Sequence, residues 1–307
     1  MLASRTSLVV RRSRLFRGGG KMGRLVVYQR PQLSSPGLVL GFTGWMDGGS
    51  VSTGTVIYLR DSLKAQFFAE IEPQDFYIFN FPGSMEEVAQ FRPYALIRGG
   101  IVTEFHYPQN HFFYSEKGNI ILFFGKEPNI RWEEYAENIF TVVREFGVRR
   151  IYFVGSFSGL TPHTREPRVF CSVSDEALKQ KLLPYDVRFS DYEGPASITT
   201  YLTVLARRKN VEMINIVVEI PMYVQAPNPK GIRSACRVLL PLLGLDLSLD
   251  DLGKMCDEFE ENVDRIVSER PDLAEQIRKL EENYDQEILG DEESFREWLR
   301  RHGIDRI

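Results

Sequence analysis

The segment Thr161-Pro162-His163-Thr164-Arg165-Glu166-Pro167 sets a histidine, a hydroxyl, a guanidinium and a carboxylate in a row between prolines. An arginine grips a carboxylate or phosphate through two parallel N–H bonds, and a histidine moves protons near neutral pH. Arg165 and Glu166 could equally tie a long loop to the protein body. A second candidate is the turn Thr43-Gly44-Trp45-Met46-Asp47-Gly48-Gly49-Ser50. It runs into a helix whose first amide hydrogens are free, a geometry that attracts anions. It lacks the Lys-Ser/Thr of a P-loop and the spacing of a dinucleotide fingerprint. A tight turn with Asp47 or Ser50 as helix cap is the plainer reading. Glu219, at the end of an apolar strand, could accept a sugar hydroxyl or bond to neighbouring backbone amides.

Other chemistries find less support. Gly155-Ser156-Phe157-Ser158-Gly159 carries Phe157 where a nucleophile elbow needs serine, which excludes a serine hydrolase at that point. His106 and His111 flank a turn at Pro108 with Glu104 nearby, a spacing that does not make metal ligands converge. Cys171, Cys236 and Cys256 are far apart and form no CxxC pair, so neither a disulfide framework nor a zinc site is encoded. No cofactor is implied, and a reducing cytoplasm fits.

These segments need a scaffold, and the hydrophobic pattern supplies one. Leu25–Tyr28 reads as an edge strand stopped by Pro31, and Leu38–Phe42 as a buried strand. A helix follows from about Val51 to Leu63. Phe76–Phe79 reads as a strand, and Ile101–Tyr107 with Phe112–Tyr114 as a strand pair. Ile120–Phe124 is a central strand. Helix Ile130–Phe146 carries Tyr135, Ile139, Val142 and Val143 on one face, with Gly147 as its stop. Strand Ile151–Val154 ends at Gly155, and a long loop runs from Ser156 to Phe170. A short helix capped by Ser174 or Asp175, the loop Tyr192-Glu193-Gly194-Pro195 and helix Ala196–Arg208 come next. Strand Ile214–Val218 and a helix from about Ile232 complete the alternation, which predicts a mostly parallel sheet with helices on both faces.

The last part of the chain differs. Ser248–Asp251 fits a capping box opening a helix with Leu252, Met255, Phe259, Val263 and Ile266 in its stripe. Pro271 starts a second helix with Leu273, Ile277, Leu280, Tyr284 and Ile288; Gly290 should stop it, leaving Phe295, Trp298 and Leu299 for a short third. Three regions follow: a basic segment 1–21, an α/β domain 22–247 and an acidic helical hairpin segment 248–307. Residues 1–21 hold six cations and no acid; they are expected to be disordered or never made, with Met22 as the start. From Asp250 onward 19 acids face nine bases, while residues 22–249 carry 23 of each. A neutral middle argues against a nucleic-acid footprint. No apolar run approaches the roughly 20 residues of a membrane span.

Five segments, in order, resemble the PAC2 family, named after proteasome assembly chaperone 2. They are Gly44-Trp45-Met46-Asp47-Gly48-Gly49, Ile121-Leu122-Phe123-Phe124-Gly125-Lys126-Glu127-Pro128, Pro162-His163-Thr164-Arg165, Tyr192-Glu193-Gly194-Pro195, and Pro221-Met222-Tyr223 with Asn228-Pro229. The resemblance runs from about Leu38 to Leu245. It implies a three-layer α/β fold similar to nucleoside phosphorylases, often assembled into homo-oligomers. Eukaryotic and some archaeal relatives assemble or bind proteasome α-rings. Archaeal relatives that dock on the proteasome end in a hydrophobic–Tyr–any tail, whereas this sequence ends Asp305-Arg306-Ile307.

On that basis the expectation is a non-enzymatic, oligomeric chaperone or protein-binding module, with proteasome subunits or other proteins as partners. The competing reading is an enzyme or small-ligand binder of nucleoside phosphorylase-like fold acting on an anionic metabolite. Either way the expected cleft gathers Gly44, Trp45, Asp47, Gly48, His163, Thr164, Arg165, Tyr192, Glu193, Gly194, Glu219 and Tyr223 at the carboxyl edge of the sheet, where ligands of open α/β sheets bind.

Overall fold

The continuous apolar runs become the centre of one sheet, and the amphipathic stripes become the helices that cover it. The computed structural model describes residues 24–89 and 91–301, with side chains as far as Glu287. The basic segment 1–21, Met22 and the end Asp305–Ile307 lie outside the described residues. In chain order the first half comprises β1 (Leu25–Val27), β2 (Gly37–Thr43), α1 (Val51–Ser62), β3 (Gln66–Ile71), α2 (Met85–Ala89), β4 (Tyr94–Arg98), β5 (Ile101–His106), β6 (His111–Ser115), β7 (Ile120–Lys126) and α3 (Trp132–Glu145). The second half comprises β8 (Arg150–Gly159), β9 (Val169–Val173), β10 (Arg188–Phe189), α4 (Ile198–Arg208), β11 (Glu212–Pro221), α5 (Pro229–Leu243), α6 (Asp250–Ser268) and α7 (Pro271–Arg301).

The main sheet runs β1-β3-β6-β7-β2-β8-β11-β9-β10, and β4–β5 form a separate two-stranded hairpin. The central strands β7, β2, β8 and β11 are parallel neighbours. Outside them β6 and β3 pair antiparallel, and β9 runs antiparallel to β11. The sheet expected to be mostly parallel is therefore mixed, with a parallel centre and antiparallel flanks. Its centre reads as mostly apolar runs, such as Ile120–Phe123 and Leu38–Leu40, because both sides of these strands are buried.

Alternate side chains of β2 enter two different clusters. Leu38, Leu40 and Phe42 pack with Tyr135 and Ile139 of α3 and Ile198 and Leu202 of α4. Val39 packs with Val51, Val56 and Leu59 of α1 and Ile232 and Leu239 of α5. The crossing of α1 over β2 is close: a Cβ on Gly41 would sit 2.8 Å from the Ser52 carbonyl oxygen. Ser52 fixes that crossing, since its hydroxyl donates to the Val154 carbonyl at 2.5 Å and accepts from the Phe42 N–H at 3.0 Å. The turn between β2 and α1 is thereby held against the end of β8.

Several sequence expectations are corrected. Phe76–Phe79 is not a strand. Its backbone bonds to a loop instead, with the Phe76 carbonyl accepting from the Asn129 N–H and the Ile78 N–H donating to the Asn129 side chain. The strand in that region is β3, which pairs with β1 and β6. Strands β5 and β6 do not pair with each other, because β5 folds back on β4 across the Gly99–Gly100 turn. Strand β8 continues past Gly155 to Gly159, which shortens the long loop to residues 160–168. Gly290 does not stop the last helix: α7 runs on to Arg301, so the expected third helix is its continuation. A single interior glycine costs only about 1 kcal/mol of helix propensity.

Candidate functional site

Four segments meet at the carboxyl ends of β2, β8 and β11. The turn Gly44–Ser50 is seated first. The Ser156 N–H donates to the Met46 carbonyl at 2.9 Å, and the Ser156 hydroxyl to the Gly48 carbonyl at 2.6 Å. On its far side the Asn228 N–H donates to the Gly49 carbonyl at 2.7 Å, and Asn228 caps α5 through the Gly231 N–H. Asp47 points into the first turn of α1, where its carboxylate accepts from the Thr53 N–H at 3.0 Å and the Thr53 hydroxyl at 2.8 Å. Asp47, not Ser50, does the capping. Burial pushes its carboxyl up to about 6, against the bonds from Thr53 that pull the other way. The helix terminus that could attract an anion already holds the chain's own carboxylate.

Glu219 forms the second node, at the end of β11. It is buried, and it accepts from the Leu160 N–H at 2.8 Å, the Thr161 hydroxyl at 2.6 Å and Arg168 Nη1 at 3.3 Å. Gly159 passes so close that a Cβ there would sit 2.2 Å from Glu219 Oε1. This carboxylate anchors the loop 160–168 to the sheet.

His163 is the third node, with only 2% of its surface exposed. Its backbone N–H donates to the Tyr223 hydroxyl at 2.9 Å, and that hydroxyl lies 2.7 Å from Nδ1. Tyr223 therefore donates to Nδ1, which leaves Nε2–H to donate to Asp264 of α6 at 2.9 Å. Desolvation pushes the Tyr223 hydroxyl up to about 12, so it stays protonated for that bond. Lys230 at the start of α5 donates to the His163 carbonyl and pairs with Glu260 of α6 at 2.8 Å.

Arg165 makes the fourth node. Its Nε and Nη2 donate side by side to the two carboxylate oxygens of Asp285, both at 2.8 Å. That bond raises the guanidinium further above its ordinary range and lowers the Asp285 carboxyl. Thr164 donates to Glu281, one helical turn before Asp285 on α7. Arg168 pairs with Glu287 at 2.7 Å and lies 4.2 Å from the centre of the Tyr284 ring. Glu166 turns the other way, to Arg233 and Arg237 of α5 at 2.7 and 3.0 Å.

The structure thus brings Gly48, His163, Thr164, Arg165, Glu219 and Tyr223 onto one edge, with Asp47 beside them. It treats Tyr192, Glu193 and Gly194 differently. They are exposed, and the Tyr192 hydroxyl bonds within its own loop to the Pro195 carbonyl at 3.1 Å. Their segment leaves β10, which runs opposite to the central strands, and reaches the carboxyl edge only where α4 begins. There Glu127 accepts from the Ile198 N–H at 2.9 Å and from the Trp45 N–H at 3.1 Å, linking α4 to the Gly44 turn. Trp45 itself is 66% exposed.

Sequence reasoning missed Arg168, Lys230 and the carboxylates that answer this edge. One signal pointed to them: Glu260 and Asp264 on α6, and Glu281 and Asp285 on α7, are each four residues apart and so share a helix face. Among the described residues no group of three or more His, Cys, Asp or Glu converges as a metal site.

A family model described as the PAC2 family matches residues 41–267. Among solved structures, the chain is similar to a Mycobacterium tuberculosis protein of unknown function, at 21% identity and TM-score 0.78, covering 90% of this chain and 93% of that one. It is also similar to a Mycobacterium tuberculosis proteasome-assembly chaperone homologue, at 24% identity and TM-score 0.68, covering 78% and 98%. A third is Pyrococcus furiosus PbaB, an archaeal proteasome activator, at 23% identity and TM-score 0.61, covering 79% and 97%. No curated protein sequence matches the chain.

Proposed function

We propose a function from one premise: the chain belongs to the PAC2 family. Its α/β body is a non-enzymatic, self-assembling module that binds protein partners, with proteasome subunits the first to test. One observation carries this reading. The groups that could do chemistry, Asp47, His163, Arg165 and Glu219, are all bonded inside the molecule, whereas large apolar side chains stand outside it. Trp45, Leu160 and Met222 are more than half exposed. Leu160 and Met222 are neighbours, since the Met222 N–H bonds to the Gly159 carbonyl, and the turn that carries Trp45 is seated on Ser156 of the same strand. Clustered exposed aromatic and aliphatic groups mark a protein-binding surface rather than a site for a small anion.

Self-assembly is assigned to the β4–β5 hairpin. Ile97, Ile101, Val102 and Phe105 are all more than half exposed on it. A lone two-stranded hairpin is marginal in water, so a second copy covering it would stabilise it. The same reading takes the architecture as three layers with helices on both faces, as the two destinations of β2 side chains support. It also places the protein in a reducing cytoplasm, as three buried free cysteines support.

Light scattering should return a multiple of 35.4 kDa, and Ile101→Lys with Phe105→Lys should return that mass itself. Purified proteasome α-subunits should co-elute with the wild type and lose it on Trp45→Ala with Met222→Ala. Absence of any co-elution, together with a raised melting temperature in phosphate or nucleoside, would replace this reading with the small-ligand one.

A further inference from the structure

The loop 160–168 and the start of α5 present Arg165, Arg168 and Lys230 as a cationic face, and the chain's own acidic helices lie on it. The hold is of two kinds. Helix α6 packs through Leu252, Cys256 and Phe259 and is part of the body. Helix α7 buries only Ile277 and Tyr284 among its described side chains, with Leu273, Ala274 and Leu280 half-buried, and its attachments to the loop 160–168 are mostly charged or polar: Glu281 to Thr164, Asp285 to Arg165, Glu287 to Arg168. Asp285 and Glu287 are about half exposed, where ion pairs contribute little and salt screens them.

The fit is also incomplete. A groove of about 350 Å³ remains between Leu160 and Arg168 on one side and Leu280, Asn283 and Tyr284 on the other. Arg168, which lines the groove, also carries a buried Nε with no hydrogen-bond partner. A buried donor left unpaired is costly, and together with the open groove it marks α7 as an imperfect cover for Arg168.

We propose that this face is a binding surface for an acidic amphipathic helix, and that α7 is its internal occupant, displaced when a partner's helix takes its place. The partner's chemistry is read from α7 itself: two carboxylates four residues apart with an aromatic residue one position before the second, as in Glu281, Tyr284 and Asp285. The tether gives α7 a high effective concentration, so a free helix competes poorly until α7 is loosened. This goes beyond the function proposed above: the surface adjoins the Trp45 and Met222 patch at Leu160 but is centred on Arg165 and Arg168, and it is tested with a different probe.

The probe is a fluorescent synthetic peptide of residues 271–287, added to the full-length chain at low salt. In Glu281→Gln/Asp285→Asn/Glu287→Gln the cations stay while α7 loses its charges, and this variant should bind the peptide about tenfold or more tighter than wild type. Adding Arg165→Ala should remove the gain, as should raising salt from about 50 to about 500 mM. A peptide with the same three carboxylates neutralised should not bind. Asp285→Asn alone should give a smaller gain of the same sign, which guards against misfolding of the triple variant. The proposal is overturned if the triple variant binds no better than wild type. It is equally overturned if Arg165→Ala leaves the gain intact, or if a short oligonucleotide of equal charge competes as well as the peptide.

Discussion

The central sheet and the polar cap at its carboxyl edge are held by different forces. The middle stretches of β7, β2, β8 and β11, such as Ile120–Phe123, Leu38–Leu40 and Ile151–Val154, are apolar and buried, and backbone ladders satisfy the peptide groups. At the cap, loop 160–168 is held by carboxylates more than 50 residues away, from Glu219 and from helices α6 and α7. Burial of apolar area is non-directional and salt-independent, whereas charge pairs depend on geometry, exposure and ions. The sheet should therefore tolerate changes of medium that the cap does not.

Phe123→Ala sets the scale for the sheet. Phe123 is fully buried and touches the rings of Phe42, Phe112 and Tyr135. Truncating it should cost about 3–5 kcal/mol at any salt concentration, read from urea unfolding. A cost under about 1 kcal/mol would mean that apolar burial does not dominate there.

Glu219→Ala probes the buried part of the cap. It strands the Leu160 N–H, the Thr161 hydroxyl and one arm of Arg168. Three donors left without an acceptor should cost roughly 3 kcal/mol. Glu219→Gln keeps one carbonyl acceptor and should cost clearly less. Equal losses in the two variants would show that charge, not hydrogen bonding, is what Glu219 supplies.

The same contrast explains what was legible in the sequence. The strands at Leu38, Ile120, Ile151 and Ile214 and helices α1, α3 and α5 follow from local period and caps, and local signals sufficed for them. Phe76–Phe79 misled because apolar content does not decide strand pairing; Asn129 takes its backbone groups from a distance. The separation of β5 from β6 depended on the Gly99–Gly100 turn, where both residues take positive φ and fold β5 onto β4. His163, Arg165 and Glu219 stood out as residues with chemistry, but the partners that fix them lie 51 to 120 positions away. No spacing rule reaches that far, and only the acidic character of the C-terminal stretch hinted at it.

Asp47 lies between the two regimes, and its effect has the opposite sign. Its carboxyl rises from 3.8 to about 6 because burial disfavours the ionised form. The folded state thus holds this proton more tightly than the unfolded chain does. Its contribution to stability is present below about pH 4 and is lost as pH climbs through about 6. Asp47→Asn removes the charge and keeps a carbonyl acceptor for the Thr53 N–H, while the Thr53 hydroxyl turns to accept from the amide. Wild type should lose on the order of 1–2 kcal/mol relative to this variant between pH 4 and pH 7.5, followed by urea midpoints at each pH. A variant less stable than wild type at pH 7.5 would show that the ionised carboxylate stabilises the α1 terminus after all.

Arg165→Ala should be the smallest change, and the one most sensitive to medium. The Arg165–Asp285 fork has good geometry, yet Arg165 is a third exposed and Asp285 half exposed. Water competes for both partners, and each long side chain must be ordered to make the pair. Surface pairs as a class contribute roughly 0–1 kcal/mol, so the melting temperature should fall by no more than about 3 °C in low salt. In about 0.5 M salt, where charges are screened beyond a few ångström, wild type and variant should converge. The readout that matters is local. Amide exchange in residues 271–287 should quicken in the variant while β2 and β8 stay protected, because α7 loses its bidentate ion pair and the sheet loses nothing. Uniformly faster exchange would mean that cap and sheet unfold as one unit, and the division between them would fall.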